Sequence, residues 1–227
     1  MTAISLTVYS DTICPFCLLG YRKTQLAIEA AKRQHPDLSF SIRYKPFELD
    51  ATLPVDTPLS KQERYASKFG KERFQSMEKM MIQRGREVGV NFSYGGTVRN
   101  TIRSHRLLER AWQSGGEPLQ RKALELCFTS YFENEGDIGS PENLARIGTE
   151  AGLFSSDEEA LNFIHGSACL PDVEQSLTES RRLGISGVPF TIISAQGMKQ
   201  PVGVSGAQEP DTFTEIFTAI ATGKTLS

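Results

Sequence analysis

Two cysteines three residues apart, Cys14 and Cys17, enclose Pro15-Phe16 and follow Asp11-Thr12-Ile13. Upstream, Ile4, Leu6 and Val8 alternate with Ser5, Thr7 and Tyr9, the period of a strand with one face more buried than the other. Downstream, Leu18, Leu19, Leu26 and Ile28 recur at helical spacing, with Arg22, Lys23 and Lys32 on the other side. Cys14 therefore belongs at a strand-to-helix junction. There the partial positive charge of the helix N-terminus and its free backbone N–H groups favour thiolate over thiol, which makes Cys14 a nucleophile. Cys17 lies nearly one turn on, on the same side, placed to attack a mixed disulfide formed on Cys14. Pro15 fits the first helical position, where no N–H is needed, and the Pro-Phe pair brings no acidic group near the sulfurs. The competing chemistry for C-x-x-C is half of a zinc site, which needs two more ligands. No second C-x-x-C exists, Cys127 and Cys169 are isolated, and His35, His105 and His165 are scattered. A C-x-x-C inside a β-α-β pattern favours dithiol redox chemistry and a thioredoxin-like reading.

The elements that must position this pair follow from local pattern. His35-Pro36-Asp37 stops the first helix, and Leu38 to Tyr44 alternates again as a second strand. A Pro-rich connection runs from Thr52 to Pro58. Ser60 and Glu63 then have capping-box spacing ahead of a long helical tract in which Gly70 is a candidate break. Further helices are expected at about 101–114, 117–133, 141–151 and 157–166, the last two opened by Ser140-Pro141 and by Ser156 with Glu159. Beta signals are almost absent between 57 and 165. A helix from Pro171 to about Arg182 is closed by Gly184. Val188 to Ile193 reads as a strand, Ala195-Gln196-Gly197 as a turn, Gln200 to Val204 as the returning strand, and Pro210 to Thr222 as a last helix. The order is β-α-β, a helical block, then α-β-β-α.

Composition narrows the function classes. The 227 residues carry 25 Lys+Arg against 27 Asp+Glu, a net charge of −2, which argues against a nucleic-acid binder held by a basic face. Hydrophobic residues at 39% are enough for a core. Four cysteines allow three pairings, yet they are too sparse for a disulfide scaffold. The N-terminus has no basic region followed by a continuous apolar run, no stretch of 18 apolar residues occurs, and Thr225-Leu226-Ser227 resembles no lipidation signal. The expectation is a cytoplasmic protein with no membrane partner, in which a close cysteine pair is redox-active instead of structural.

Asp11-Thr-Ile-Cys14-Pro-Phe-Cys17-Leu-Leu-Gly20 and Gly184-Ile-Ser-Gly187-Val-Pro189-Phe-Thr-Ile-Ile resemble the two landmarks of DsbA-like oxidoreductases, in their FrnE-like branch. The segments from Asn100 to Leu107, Ala123 to Phe132 and Ser205 to Gln208 are similar to that branch too, so the likeness covers nearly the whole chain. It implies an α/β thioredoxin-like fold (β-α-β … β-β-α) with a large all-helical insertion: residues 1–56 and 181–227 form the two parts of the thioredoxin-like domain and 57–180 the insertion. It also implies a cis Val188–Pro189 bond in a loop facing the cysteines, where the Val188 backbone is free to pair with a bound peptide. The family pattern usually has an aromatic residue, often Trp, between the cysteines, and Phe16 is a conservative departure. The related 2-hydroxychromene-2-carboxylate isomerases and kappa-class glutathione transferases generally carry Ser at the first position and bind glutathione; Cys14 favours dithiol chemistry over theirs.

Other residues have a bland and a functional reading. His105 and Asn100 are candidates to line the substrate groove, or else a surface or interdomain His and a polar residue at a helix start. Cys127, among Leu124, Leu126 and Phe128, reads as a small buried hydrophobe, and Cys169 as structural before a helix. The Met77-Met80-Met81 cluster reads as core, with a flexible substrate surface as the alternative. Arg99, Arg103, Arg106 and Arg110 read as a solvated stripe offset by carboxylates.

The resulting expectation is a thiol–disulfide oxidoreductase or isomerase acting on protein or small-molecule thiols and disulfides. Cys14 attacks, Cys17 resolves, and Pro15, Phe16, Val188 and Pro189 shape the binding surface. No bound cofactor is expected; glutathione is a candidate redox partner, and a symmetric dimer is the base-rate expectation at this size. The alternatives are a glutathione-dependent transferase or isomerase on the same fold, and a non-catalytic peptide-binding or chaperone module.

Overall fold

The computed structural model describes residues 2–224, so Thr225–Ser227, read above for a lipidation signal, lie outside the described residues. Strand β1 (Thr2–Ser10), helix α1 (Pro15–Gln34) and strand β2 (Leu38–Pro46) form the opening β-α-β unit, and β1 pairs with β2 in parallel from Thr2↔Leu38 to Ser10↔Pro46. A parallel pair needs a crossover, which α1 supplies. Two strands late in the chain, β5 (Phe190–Ala195) and β6 (Val202–Ser205), complete a sheet of order β2-β1-β5-β6, with β5 antiparallel to both its neighbours. The last helix, α8 (Pro210–Thr222), packs beside α1, and Phe217 meets Phe40 of β2 edge to face at 4.9 Å between centroids.

Between β2 and β5 lie six helices: α2 (Lys61–Phe69), α3 (Lys71–Glu87), α4 (Ile102–Phe128), α5 (Pro141–Ala151), α6 (Asp157–His165) and α7 (Leu170–Arg182). Their ends fall where the capping residues place them. Ser60, Ser140 and Ser156 each accept a hydrogen bond from the backbone N–H three residues on. Gly70, at φ +86°, separates α2 from α3. Gly115 and Gly116 leave helical geometry and divide α4 into two arms, after which a π-helical turn spans Thr129–Glu133.

Two features depart from the sequence reading. Residues 59–60 and 97–98 form a two-residue ladder, β3 with β4, too short to leave a periodic signal in a segment that read as all-helical. Tyr9, assigned by alternation to the more open face of β1, is fully buried, because Lys45 and Glu179 of α7 close over that end of the strand.

The helical segment also finishes the sheet. Gln120 of α4 accepts from the Tyr44 N–H and donates to the Tyr44 carbonyl, both at 2.9 Å, and the Glu117 carboxylate accepts from the Ile42 N–H at 2.9 Å. Side chains thus take the hydrogen-bonding places of a neighbouring strand along the outer edge of β2.

Candidate active site

The site begins where β1 ends. A turn from Asp11 to Cys14, closed by Cys14 N–H donating to the Asp11 carbonyl at 3.1 Å, delivers Cys14 to the N-cap of α1 with Pro15 in the first turn. The Cys14 side chain makes no capping bond, and no acidic residue occupies that first turn. Its thiol donates to the Val188 carbonyl at 3.6 Å. The Val188–Pro189 peptide bond is cis, and Gly20 lets α1 come against it: a Cβ at residue 20 would sit 2.9 Å from the Pro189 ring.

The two sulfurs are both thiols in the structure and differ in surroundings. Cys14, 2% exposed, lies at the floor of a cleft. Cys17 is sealed beneath it. Burial, with smaller contributions from Cys14, pushes the Cys17 thiol well above its ordinary range, while the Ser10 hydroxyl and the Asp11 backbone pull the other way. Such a pair suits sequential use: an outer sulfur that meets substrate, and an inner one that stays protonated until it is called upon.

The cleft has a volume of about 410 Å³. One wall is formed by Ile13, Pro15 and Phe16 with Gly187 and Val188, whereas Pro189, grouped with them above, is not among the lining residues. The other is built by the helical segment, from Tyr65 and Phe69 of α2, Phe74, Met77 and Met81 of α3, and Tyr94. The Tyr65, Phe74 and Tyr94 rings stand edge to face at 5.7 and 5.8 Å, and the Tyr65 hydroxyl is held by that of Tyr131 at 2.8 Å. At the rim, Asp50 pairs with Arg64 at 2.7 Å and Lys68 at 3.1 Å. Burial alone would raise the Asp50 pKa, but hydrogen bonds from Thr52, Arg64 and Lys68 outweigh it and bring it down to about 2. The spacing of Tyr65, Phe69, Met77 and Met81 was legible as one helical face, yet the same spacing serves a core. The reading of the methionines as core holds for Met81, 1% exposed, whereas Met77 faces the cleft and Met80 is exposed.

His105 and Asn100 are not among the residues lining the cleft, so of the two readings offered for each, groove-lining is not the one met in the fold. Both are buried one layer behind the cleft wall. The ring Nε2 of His105 lies 3.0 Å from the Phe47 carbonyl and 3.4 Å from the Asp11 carboxylate, whose other oxygen accepts from the Leu49 N–H at 2.7 Å. Asn100 donates to Glu48 at 3.0 Å and accepts from the Ile102 N–H at 2.8 Å. Together they fasten the 47–54 loop, which carries Leu49, Asp50 and Leu53 to the cleft. A polar residue near a catalytic segment looks the same in sequence whether it meets substrate or holds the loop that does.

Cys127 is fully buried, and burial pushes its thiol up to about 12. Cys169 caps α7 at φ +63° and lies 3.4 Å from the Gln113 side-chain oxygen, with its pKa raised by burial first and by Asp172 and Glu109 next. Arg99 and Arg103 are offset by Asp137 and Asp56, whereas Arg106 departs from the solvated stripe: it is buried, and its guanidinium donates to the carbonyls of Phe163 and Ile164 at the end of α6 and of Ala168 just beyond it. Among the described residues no group of three or more His, Cys, Asp or Glu is placed to hold a metal ion, and no helix is long and apolar enough to cross a membrane.

Residues 5–218 match the family model described as DSBA-like thioredoxin domain. No curated protein sequence matches the chain. Among solved structures, a probable DsbA oxidoreductase from Streptomyces coelicolor superposes with a TM-score of 0.83 at 24% identity, covering 99% of this chain and 92% of its own. The cytosolic disulfide reductase DsbM from Pseudomonas aeruginosa gives 0.62 at 16% identity over 95% and 97%, and it has also been solved with GSH. A 2-hydroxychromene-2-carboxylate isomerase gives 0.62 at 12% identity over 96% and 95%. At these identities the likenesses establish the fold.

Proposed function

The chain belongs to the DSBA-like thioredoxin-domain family, and from that premise we propose that it is a thiol–disulfide oxidoreductase whose redox centre is Cys14-Pro15-Phe16-Cys17. The observation that carries this reading is the asymmetry of the two thiols: Cys14 at the helix N-terminus and the floor of the cleft, Cys17 sealed behind it with its pKa raised. In the reducing direction the Cys14 thiolate attacks one sulfur of a substrate disulfide. The S–S bond breaks, the leaving sulfur departs as thiolate and takes a proton, and a Cys14–substrate mixed disulfide remains. Cys17 then gives up its proton and attacks the Cys14 sulfur. This releases the second substrate thiol and leaves the Cys14–Cys17 disulfide, two electrons having passed to the substrate. A thiol reductant restores the pair, and glutathione is the candidate that the DsbM structure with GSH supports. Run backward, the same steps oxidise a dithiol. The Val188 carbonyl, which holds the resting Cys14 thiol, is freed when that sulfur bonds substrate. A cytoplasmic setting is part of the proposal, supported by a neighbour described as cytosolic.

Replacing Cys14 by Ser is expected to abolish insulin reduction, and replacing Cys17 by Ser to trap a substrate mixed disulfide visible by mass spectrometry. Full activity in Cys14→Ser would overturn the assignment. Saturable glutathione binding with turnover of an electrophile, indifferent to loss of Cys17, would move it to the transferase or isomerase chemistry of the same fold.

A further inference from the structure

We propose that the cleft over Cys14 selects small, uncharged disulfides whose sulfur is carried by an aromatic or branched apolar group, in preference to glutathione conjugates and to disulfides on the surface of folded proteins; this rests on the redox reading above. Three observations converge. First, Cys14 is 2% exposed, so its sulfur is reached through the cleft and not across an open surface. A folded protein would have to thread a segment inward, whereas a small disulfide enters whole. Second, the volume of about 410 Å³ is at the small-molecule end of the range for ligand sites. Third, the lining is aromatic and thioether: Phe16, Tyr65, Phe69, Phe74, Tyr94 and Met77. Such a surface receives apolar and sulfur-bearing groups well, and the unbranched Met77 can adapt to several shapes.

Charge decides against glutathione as a bound substrate. Asp50 and Lys68 are the acid and base among the lining residues, and they are paired with one another, with Arg64 also on Asp50. Glutathione disulfide carries four carboxylates. None would find an unpaired cation in the lining, and drawing Lys68 away would leave Asp50, held down to about 2 by its partners, short of one donor. The oxygen of Tyr65 remains as a polar handle, already bonded to Tyr131. Glutathione acting as reductant has to reach the same sulfur through the cleft, and it is expected to restore the pair more slowly than an uncharged thiol does.

The test uses the full-length reduced protein and three disulfides: bis(2-phenylethyl) disulfide, glutathione disulfide and insulin. Each second-order rate is divided by that disulfide's own rate with dithiothreitol, so that intrinsic reactivity cancels. The expected normalised preference is about tenfold or more for the aromatic disulfide over either of the others, with saturation for it alone. Met77→Lys places a cation in the apolar wall and is expected to shrink or invert the ratio, losing the aromatic substrate while gaining glutathione disulfide. Equal normalised rates in the unmodified protein, or saturation with glutathione disulfide, would overturn the proposal. Loss of all exchange in Cys14→Ser leaves the redox reading standing in either case, and full retention there sinks the reading itself.

Discussion

The two walls of the cleft are made in different ways. The wall formed by the first turn of α1 and the 187–189 loop is short in sequence and tightly fitted, with the Cys14 thiol on the Val188 carbonyl and Gly20 against Pro189. The facing wall is assembled from α2, α3 and Tyr94. It meets the first wall through side chains and is anchored at a distance by the Asp50 cluster and by the buried Lys61. The first wall fixes where the sulfurs are, and a small error there moves the reacting atom. The second fixes which groups approach, and an error there changes preference. Chemistry and selection are thus separable, each with its own residues to perturb.

The strongest way to break that separation is Gly20→Val. Even the first added carbon would lie 2.9 Å from the Pro189 ring, so α1 and the loop must part. Overpacking of this kind costs about 1–3 kcal/mol. Exchange with every disulfide is expected to fall by about tenfold or more, uniformly, in the assay above; a loss confined to aromatic disulfides would show that the first wall also selects.

A second prediction concerns the anchor. Lys61, at the start of α2, is 1% exposed; its ammonium donates to the Tyr131 carbonyl at 2.9 Å and lies 3.9 Å from the centre of the Tyr131 ring. Burial lowers its pKa to about 8, against the pull of Glu135 and Asp137. Between about pH 8 and pH 10 the unfolded chain therefore holds a proton that the folded chain has lost, and stability rises with pH across that window. Below it, the charged form is a burden. Lys61→Met is expected to flatten the rise in urea-unfolding stability from pH 8 to 10. An unchanged slope would remove Lys61 as its cause.

The smallest effect is expected from Asp50→Asn. Its depressed pKa contributes stability above about pH 4 that is lost as pH falls toward about 2. With the carboxylate partly open to water the loss is held to about 1 kcal/mol. Freed of its partner, Lys68 is expected to raise the relative rate with glutathione disulfide by a few-fold, an effect that salt should weaken. No change would place Lys68 outside the selecting wall.

Much of the first wall could be read from sequence because it is local. A C-x-x-C after an alternating strand places both sulfurs and Pro15 marks the first turn; away from this wall, Ser60, Ser140, Ser156 and Gly70 mark helix ends by their own backbone chemistry. The second wall could not. Aromatic residues at helical spacing face a core and a cleft alike, and which one they meet depends on where α2 and α3 settle. For His105 and Asn100 the two readings offered could not be separated locally: Asn100 does hold the Ile102 N–H at a helix start, but the other bonds run to Phe47, Asp11 and Glu48, partners about fifty to ninety residues away. Glu117 and Gln120, unremarkable as polar residues on a helix, were invisible as edge partners for the same cause.

Those two side chains bear on how the protein is made. A growing chain exposes β1 and β2 first, and β1 waits for β5, whose Ile193 lies opposite Leu6, until nearly the end of synthesis. The outer edge of β2 has no such wait. Glu117 and Gln120 follow their partners by 75 and 76 residues and can close that edge while the rest of the sheet is still missing. The strand left at the opposite border, β6, is four residues long and preceded by Pro201, a poor template for another chain. The helices that interrupt the sheet thus supply, earlier in the chain than β5, the groups that occupy its outer edge.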